Sequence, residues 1–305
     1  MRIAVAGATG VLGRAVMPRL REAGHEVRGF ARRPPQVATG AEDLIALDLL
    51  ERDAVVAFAA EWRPEAILHL ATAIPADLEP RKAVEQFGPT NRLRTDGTRN
   101  LVAAAEAGGG AWLIGQSIAF VNVPGPGLAD EETPLRDDPG DVISLTAAPV
   151  AELERLTLGA GGTVLRFGQF YGPGTAFAPD GAMGAGAAAG KLPVITRHGR
   201  SSVFSLIHVD DAAAAIVATL RSGARGVFDI VDDEPAEARE VLPVLAAARG
   251  GRRPRRVPSW LARPIAGAYG IAFMCDLRGA SNAKAKAELD WQPSIPSWRE
   301  GFSAD

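Results

Sequence analysis

The chain opens with the stretch IAVAGATGVLG at residues 3–13, and this stretch decides the fold. The apolar run at residues 3–6 predicts a buried strand, and apolar residues at helical spacing predict a helix over residues 11–23. Glycines in the turn between them let the backbone approach a pyrophosphate closely, and the helix N-terminus adds free N–H groups. These glycines are Gly7, Gly10 and Gly13. The stretch therefore predicts a dinucleotide site, and its alternative is a purely structural glycine turn.

Composition narrows the class of protein. The 305 residues are 47% hydrophobic and 23% charged, with a net charge of -3, which is typical of a globular protein and does not favour binding to nucleic acid or to a membrane. The single cysteine, Cys275, excludes an internal disulfide, and four histidines without an HExxH motif give no support for a metal site. Because no signal peptide or membrane span is visible, we expect a cytoplasmic protein with a small-molecule partner and, as an open alternative, a homodimer.

The first half of the chain alternates apolar runs with helical patterns. Strands are predicted at 26–30, 44–47, 66–70, 111–115 and 163–167, and helices at 52–60, 95–107 and about 149–158. This alternation predicts an α/β protein with a Rossmann-like, doubly wound parallel sheet. Residues 1–167 are expected to form the dinucleotide-binding core. Residues 168–305 are expected to add the last core elements, at about 203–231, and a small, mostly helical C-terminal lobe that binds substrate.

Three long segments follow predicted strands, at residues 74–90, 122–141 and 173–200. Open α/β sheets bind ligands at the carboxyl ends of their strands. Loops of this length are usually functional or mobile. We therefore expect the three segments to border a sizeable small-molecule pocket.

Further motifs along nearly the whole chain continue the pattern that the glycine turn begins. They are Asp48-Leu49, His69-Leu70-Ala71, Gly97-Thr98-Arg99-Asn100-Leu101, Ser117, Leu165-Arg166, Tyr171-Gly172-Pro173, His208-Val209-Asp210-Asp211-Ala212 and the closing Ala287-Glu288-Leu289-Asp290-Trp291-Gln292-Pro293. Together they resemble an extended short-chain dehydrogenase/reductase of the NAD-dependent epimerase/dehydratase type. The resemblance implies a Rossmann core that holds a nicotinamide dinucleotide.

The resemblance also implies roles for single residues. Asp48 would bind the adenine amino group, with a turn residue as its alternative, and Leu49 would pack on the ring. Residues 70–72 would line the ribose and pyrophosphate, and residues 208–211 would connect the lobe to the sheet and cap the helix that follows. The candidate cofactor-binding residues are Gly7, Thr9, Gly10, Val11, Leu12, Gly13, Arg32, Arg33, Asp48, Leu49, Leu70, Ala71 and Thr72.

The segment after the second strand bears on the choice of cofactor. An acidic residue there would bind the ribose 2′-hydroxyl of NAD, but this chain has Phe30-Ala31-Arg32-Arg33. The planar guanidinium of arginine suits a 2′-phosphate. The sequence therefore favours NADP(H), with NAD(H) as the alternative. In that alternative the two arginines are a solvated pair.

The chain departs from the family at the catalytic helix. The resemblance implies a tyrosine that exchanges a proton with substrate and a lysine four residues later, but the matching positions hold Thr146 and Val150. Because proline favours the first turn of a helix, Pro149 predicts that Thr146 lies in the preceding loop. Arg94 stands where many such enzymes have asparagine. The standard proton donor is therefore absent.

Other polar residues remain near the expected pocket, and each has a structural alternative. The candidate catalytic residues are Ser117, at the family's serine position, and Tyr171. His69 is interpreted as a packed strand-end histidine. The candidate substrate-binding residues are Gln116, Gln169, His198, Tyr269 and Arg278.

Three functions fit these observations. The first is an NADP(H)-dependent oxidoreductase that acts on a carbonyl or hydroxyl of a small organic molecule with a non-standard proton donor. The second is a non-redox cyclase, dehydratase or isomerase, and the third is a non-catalytic NADP-sensing protein. The intact glycine turn favours a retained nucleotide, whereas the missing tyrosine and lysine favour the second and third functions.

Overall fold

Seven parallel strands form the central sheet in a computed structural model that describes residues 1–33, 43–75 and 78–304. In chain order, these strands and those outside the central sheet are β1 (Arg2–Ala6), β2 (Glu26–Ala31), β3 (Leu44–Ala46), β4 (Ala66–His69), β5 (Trp112–Ile118), β6 (Thr163–Phe167), β7 (Gln169–Tyr171), β8 (Val194–Thr196), β9 (Val203–Phe204), β10 (Leu206–His208), β11 (Gly226–Ile230), β12 (Ala236–Glu237) and β13 (Arg256–Pro258). Within the described chain, the central sheet has the order β3-β2-β1-β4-β5-β6-β11, and every neighbouring pair is parallel. The predicted doubly wound α/β fold is confirmed.

Helices cover both faces of this sheet. They are α1 (Val11–Glu22), α2 (Arg52–Trp62), α3 (Ala83–Gln86), α4 (Gly88–Arg92), α5 (Thr98–Ala107), α6 (Ser144–Gly159), α7 (Ala182–Ala188), α8 (Val209–Ser222), α9 (Ala238–Ala248), α10 (Ser259–Cys275), α11 (Ala283–Glu288) and α12 (Trp298–Ala304). A π-helical segment, Leu93–Gly97, joins α4 to α5. No helix in the described part of the chain is long and apolar enough to cross a bilayer.

Alternation along β1 explains why both faces are covered. Ile3 and Val5 pack with residues of α1 and α8, whereas Ala4 and Ala6 pack with residues of α2 and α5. All four side chains are at most 1% exposed. A strand buried on both faces reads as a continuous apolar run, which is the pattern of the N-terminal stretch.

The second half of the chain contributes to the core and adds the helices α9, α10 and α12, which are called the lobe below. Strand β11 extends the central sheet beside β6, and α8 packs against α1. In the lobe, α9, α10 and α12 share a second apolar cluster with α6, so the lobe rests on the helix that follows β5. The predicted loop at 74–90 contains the short helix α3, and its residues 76 and 77 lie outside the described residues.

Residues 208–211 connect the lobe to the sheet, as the sequence predicts. The His208 side chain accepts a hydrogen bond from the Asp210 backbone N–H and so caps α8. The Asp211 carboxylate accepts hydrogen bonds from the backbone N–H groups of Ser294 and Ile295 and from the Ser294 hydroxyl. These bonds hold the C-terminal segment against the N-terminus of α8.

The start of α6 corrects one prediction. The helix begins at Ser144, so Thr146 lies inside it and not in a preceding loop, and Pro149 lies in the helix interior. The reason lies upstream, where the Asp141 carboxylate accepts a hydrogen bond from the Ile143 N–H at 2.9 Å and the Asp141 carbonyl accepts one from the Ser144 N–H at 3.0 Å. These bonds start the helix before the proline, which the sequence pattern did not reveal.

Candidate dinucleotide and substrate site

A cavity of ≈ 720 Å³ opens at the carboxyl ends of β1, β2 and β4. Its lining comprises Ala6, Gly7, Thr9, Gly10, Phe30, Ala31, Arg32, Arg33, Ala46, Leu47, Asp48, Leu49, Leu70, Ala71, Thr72 and Leu93. The candidate cofactor-binding residues therefore come together in one place, apart from Val11, Leu12 and Gly13. The residues that the sequence did not single out are mostly the last residues of the strands, whose positions follow from the strand ends themselves.

The glycine turn fits a ligand that approaches the backbone. Gly7 has φ +88°, and a Cβ there would lie 2.7 Å from the backbone of Ala71. A Cβ at Gly13 would lie 2.3 Å from the Gly7 carbonyl oxygen, so the absence of a side chain lets α1 pack against the turn. The first N–H groups of α1 face no helical carbonyl and are available to a phosphate. Leu12, by contrast, is 4% exposed and packs in the core.

Charged groups border this cavity after β2 and β3. Arg32 and Arg33 line it and are exposed, directly after β2. Asp48 is the one carboxylate among the described lining residues, and its Oδ1 accepts a hydrogen bond from the Leu50 N–H at 3.0 Å. Asp48 therefore shapes the turn after β3, and it also faces the cavity. Two cations, Arg32 and Arg33, therefore lie at the edge of the cavity next to the end of β2.

Ser117 lies in a buried ionic network. Its hydroxyl donates a hydrogen bond of 2.6 Å to Glu154 Oε1. Arg166 donates to both oxygens of the same carboxylate, from Nε at 2.9 Å and from Nη2 at 2.8 Å. Ser117 is 1% exposed, and both ionic partners are 5% exposed. This geometry favours the structural alternative for Ser117, and its catalytic role stays a prediction.

Three other predicted residues also have structural contacts. Tyr171 is fully buried, with its ring edge-on to His208 at 5.2 Å and to Phe302 at 5.5 Å between centroids. His198 is exposed in a turn where Arg197 and Arg200 pair, and it has φ +50°. The Arg278 guanidinium donates to three backbone carbonyls of residues 126–128 and so ties the lobe to the loop after β5. This geometry gives no support to ligand binding by these three residues.

Two predicted glutamines have unused hydrogen-bonding groups. Gln169 is 8% exposed, and neither its Oε1 nor its Nε2 has a partner among the described residues. Gln116 Oε1, at the end of β5, likewise has none within that part of the chain. Buried amides without partners usually meet a ligand or a water. Both residues therefore remain good candidates for substrate contact.

Tyr269 and Arg94 meet at the junction of core and lobe. The Thr146 side chain on α6 and the Arg94 charge are both near enough to Tyr269 on α10 to influence its pKa. Burial raises the pKa of Tyr269, while the Thr146 hydrogen bond and the Arg94 charge lower it. The Tyr269 phenol thus lies near Thr146, the residue at the position where the family implies a tyrosine. No spacing pattern in the sequence predicts this pairing.

His69 behaves as the packed histidine that the sequence suggests. It is 2% exposed, and its Nε2 donates a hydrogen bond to the Leu93 carbonyl at 3.1 Å. Burial lowers the pKa of His69 to about 4, so the ring is neutral at physiological pH. This bond links the end of β4 to the π-helical segment beside the cavity.

Comparisons with known proteins agree with this fold and cavity. The model of the NAD dependent epimerase/dehydratase family matches residues 3–230, and the chain belongs to this family. A 3-diazoavenalumate denitrifying reductase from a Streptomyces species is 42% identical over 309 residues, which cover 100% of both chains. A ceramide reductase from Caulobacter vibrioides is 26% identical over 324 residues, covering 98% of this chain and 88% of the relative.

Solved structures give the same class. UDP-glucose 4-epimerase from Thermus thermophilus, in complex with NAD, superposes with a TM-score of 0.73 at 25% identity over 99% of this chain and 97% of its own. A human epimerase family protein with NADPH has a TM-score of 0.77 at 21% identity over 100% and 98% of the two chains, which is a likeness of fold. The chain is an enzyme of the short-chain dehydrogenase/reductase type, and a nicotinamide dinucleotide is its cofactor class.

Proposed function

We propose that this enzyme is an NADPH-dependent reductase that replaces the diazo group of an organic acid with hydrogen and releases N₂. The observation that carries the proposal is the pair Thr146 and Val150 on α6, at the positions where the family implies tyrosine and lysine. The 42% identity to a denitrifying reductase over the full length supports the same reaction class. The alternatives are a carbonyl reductase, a non-redox enzyme and a dinucleotide sensor.

The missing proton donor distinguishes the reaction classes. Reduction of a carbonyl produces an alkoxide, so an acid must deliver a proton to the reacting oxygen. A reduced dinucleotide bound in the cavity would supply a hydride, and from a substrate in the diazonium form, R–N₂⁺, the C–N bonding pair would leave with neutral N₂. The reacting carbon needs no proton in this substitution. Because this reaction needs no proton donor at these two positions, the buried, apolar Val150 and the Thr146 hydroxyl are compatible with it.

The protein's task is then binding and orientation. Gly7, Gly10 and the N-terminus of α1 would hold the pyrophosphate, and Leu70-Ala71-Thr72 would line its other side. Arg32 and Arg33 would pair with a 2′-phosphate, which supports NADPH over NADH. Gln116 and Gln169 would orient the substrate through amide groups that have no partner within the described residues. An exclusion of water would prevent hydrolysis of the diazo group, because water competes with hydride for the same carbon.

An isotope experiment tests this proposal. The purified protein is incubated with 3-diazoavenalumate and NADPH deuterated at C4, with parallel reactions that lack protein or dinucleotide. We expect protein-dependent loss of NADPH absorbance, one N₂ per NADPH, and deuterium at the carbon that carried the diazo group. Unlabelled NADPH in D₂O should leave that carbon without deuterium.

Other outcomes would refute the assignment. Deuterium from D₂O at that carbon would show that the hydrogen does not come from the dinucleotide. Conversion without consumption of NADPH would favour a non-redox enzyme. Binding of NADPH without any conversion, together with turnover of a ketone, would favour a carbonyl reductase with Tyr269 as its acid.

A further inference from the structure

We propose that Arg94 and Tyr269 form a recognition site for the carboxylate of a planar aromatic acid. The inference deepens the proposed function, on which it rests, because it specifies the substrate class of the same enzyme. Arg94 carries a buried charge for which the described residues supply no counter-ion.

Arg94 is a buried cation with almost no partners. It is 6% exposed, and among the described residues its guanidinium makes one hydrogen bond, from Nη1 to Asn91 Oδ1 at 3.2 Å. No carboxylate of the described chain forms an ion pair with it, unlike buried Arg166, which binds Glu154 through two nitrogens. A guanidinium carries five N–H donors, so most of its donors are unused. Leaving a buried charge in this state is costly unless a ligand completes it.

The charge persists at neutral pH. Burial lowers the pKa of Arg94 to about 10, which keeps the guanidinium protonated. Burial also raises the pKa of Tyr269, so the phenol keeps its proton and does not neutralise the arginine. The two side chains therefore present N–H and O–H donors together. Such a pair binds an oxygen anion, and the planar fork of arginine matches a carboxylate.

The cluster is built from three separate elements at the carboxyl side of the sheet. Arg94 lies in the π-helical segment, Thr146 on α6 and Tyr269 on α10, after an interruption of that helix at Gly267. Leu93, the neighbour of Arg94, lines the dinucleotide cavity. Short π-helical segments occur frequently at functional sites. The π-helical segment that carries Arg94 therefore borders, through Leu93, the place where the dinucleotide would bind.

Aromatic rings border the two donors. Phe87 and Phe273 lie 5.4 Å and 6.3 Å from the Tyr269 ring, and Phe120 contacts Phe273 edge-on at 6.0 Å. Phe120 and Phe273 are half-buried, so part of each ring faces open space. Rings of this kind favour stacked or edge-on contact with another ring. A ligand with a carboxylate on a planar aromatic ring would pair its charge with Arg94 and place its ring against these aromatic side chains.

Calorimetry with two probes that share one aromatic body but differ in charge tests the site. The probes are trans-cinnamate and its neutral methyl ester, titrated into the full-length protein saturated with NADP⁺. Wild type should bind the acid, and Arg94→Gln should weaken the acid at least tenfold while it changes ester affinity less than threefold. Arg94→Lys should lose less than Arg94→Gln, and Tyr269→Phe should weaken the acid about threefold to tenfold. Arg92→Gln, at the exposed last residue of α4, is the matched control and should leave both affinities unchanged.

Several results would overturn the site. The first is that wild type does not bind trans-cinnamate. The second is that Arg94→Gln lowers the affinities for the acid and the ester equally, and the third is that this variant binds NADP⁺ more weakly. If Arg94→Gln does not fold, Arg94→Lys and Tyr269→Phe carry the same comparison. The two proposals fail separately, since Arg94-dependent binding of the acid without turnover of a diazo acid would refute only the proposed function. Turnover of the diazo acid with an unchanged KM in Arg94→Lys would refute only the anion site.

Discussion

Substitution of Ser117 by alanine separates a structural serine from a catalytic one. The hydroxyl donates its 2.6 Å hydrogen bond to a carboxylate that is 5% exposed, and Arg166 binds both oxygens of that carboxylate. A hydrogen bond to a buried charge contributes about 1.5–3 kcal/mol. Because the ion pair itself remains, Ser117→Ala should lower the free energy of unfolding by about this amount without unfolding the chain. Turnover per folded molecule should change less than twofold.

Urea unfolding and steady-state kinetics on the same preparations measure both quantities. Ser144→Ala is the matched control, since Ser144 is also buried but its hydroxyl has no partner among the described residues. We expect that variant to unfold within about 0.5 kcal/mol of wild type. If Ser117→Ala is as stable as wild type and its turnover falls a hundredfold, Ser117 is catalytic and the reasoning from the ionic network is wrong.

Three further predictions test the cofactor site and a buried acid. Gly7→Ala should destabilise the chain more than Gly24→Ala in urea unfolding. Both glycines have positive φ, but only a Cβ at Gly7 would meet the Ala71 backbone, at 2.7 Å. Equal losses of unfolding free energy in the two variants would contradict this explanation. Arg32→Glu should weaken NADPH binding at least tenfold more than NADH binding in calorimetry, since the 2′-phosphate would lose a cation and meet an anion. An equal loss of affinity for both dinucleotides would refute the NADP assignment. Burial raises the pKa of Asp232 from 3.8 to about 8, so the folded chain keeps a proton that the unfolded chain releases, and stability falls as pH rises between these values. Asp232→Asn should remove that loss, so its stability relative to wild type should increase from pH 5 to pH 8, and a constant difference would contradict the assignment.

Local patterns in the sequence were enough for the fold and for the dinucleotide cavity. The strand, glycine turn and helix of residues 2–22 are consecutive, and their geometry depends on contacts within a few residues. Gly7 and Gly10 line the cavity because the turn that follows β1 places them at the carboxyl end of that strand. The start of α6 was mispredicted because hydrogen bonds that Asp141 accepts from the Ile143 and Ser144 N–H groups outweighed the preference of Pro149 for a first turn.

Contacts between distant residues decided what the polar groups do. Sequence position made Ser117 a candidate for catalysis, but only the packing of α6 against β5 shows that its hydroxyl meets Glu154, 37 residues away. Tyr269 reaches Thr146 and Arg94 because the lobe folds back on the core, and no periodicity or spacing encodes that return. A short motif specifies local backbone geometry, whereas the charge, burial and partners of a side chain depend on elements that tertiary structure alone brings together.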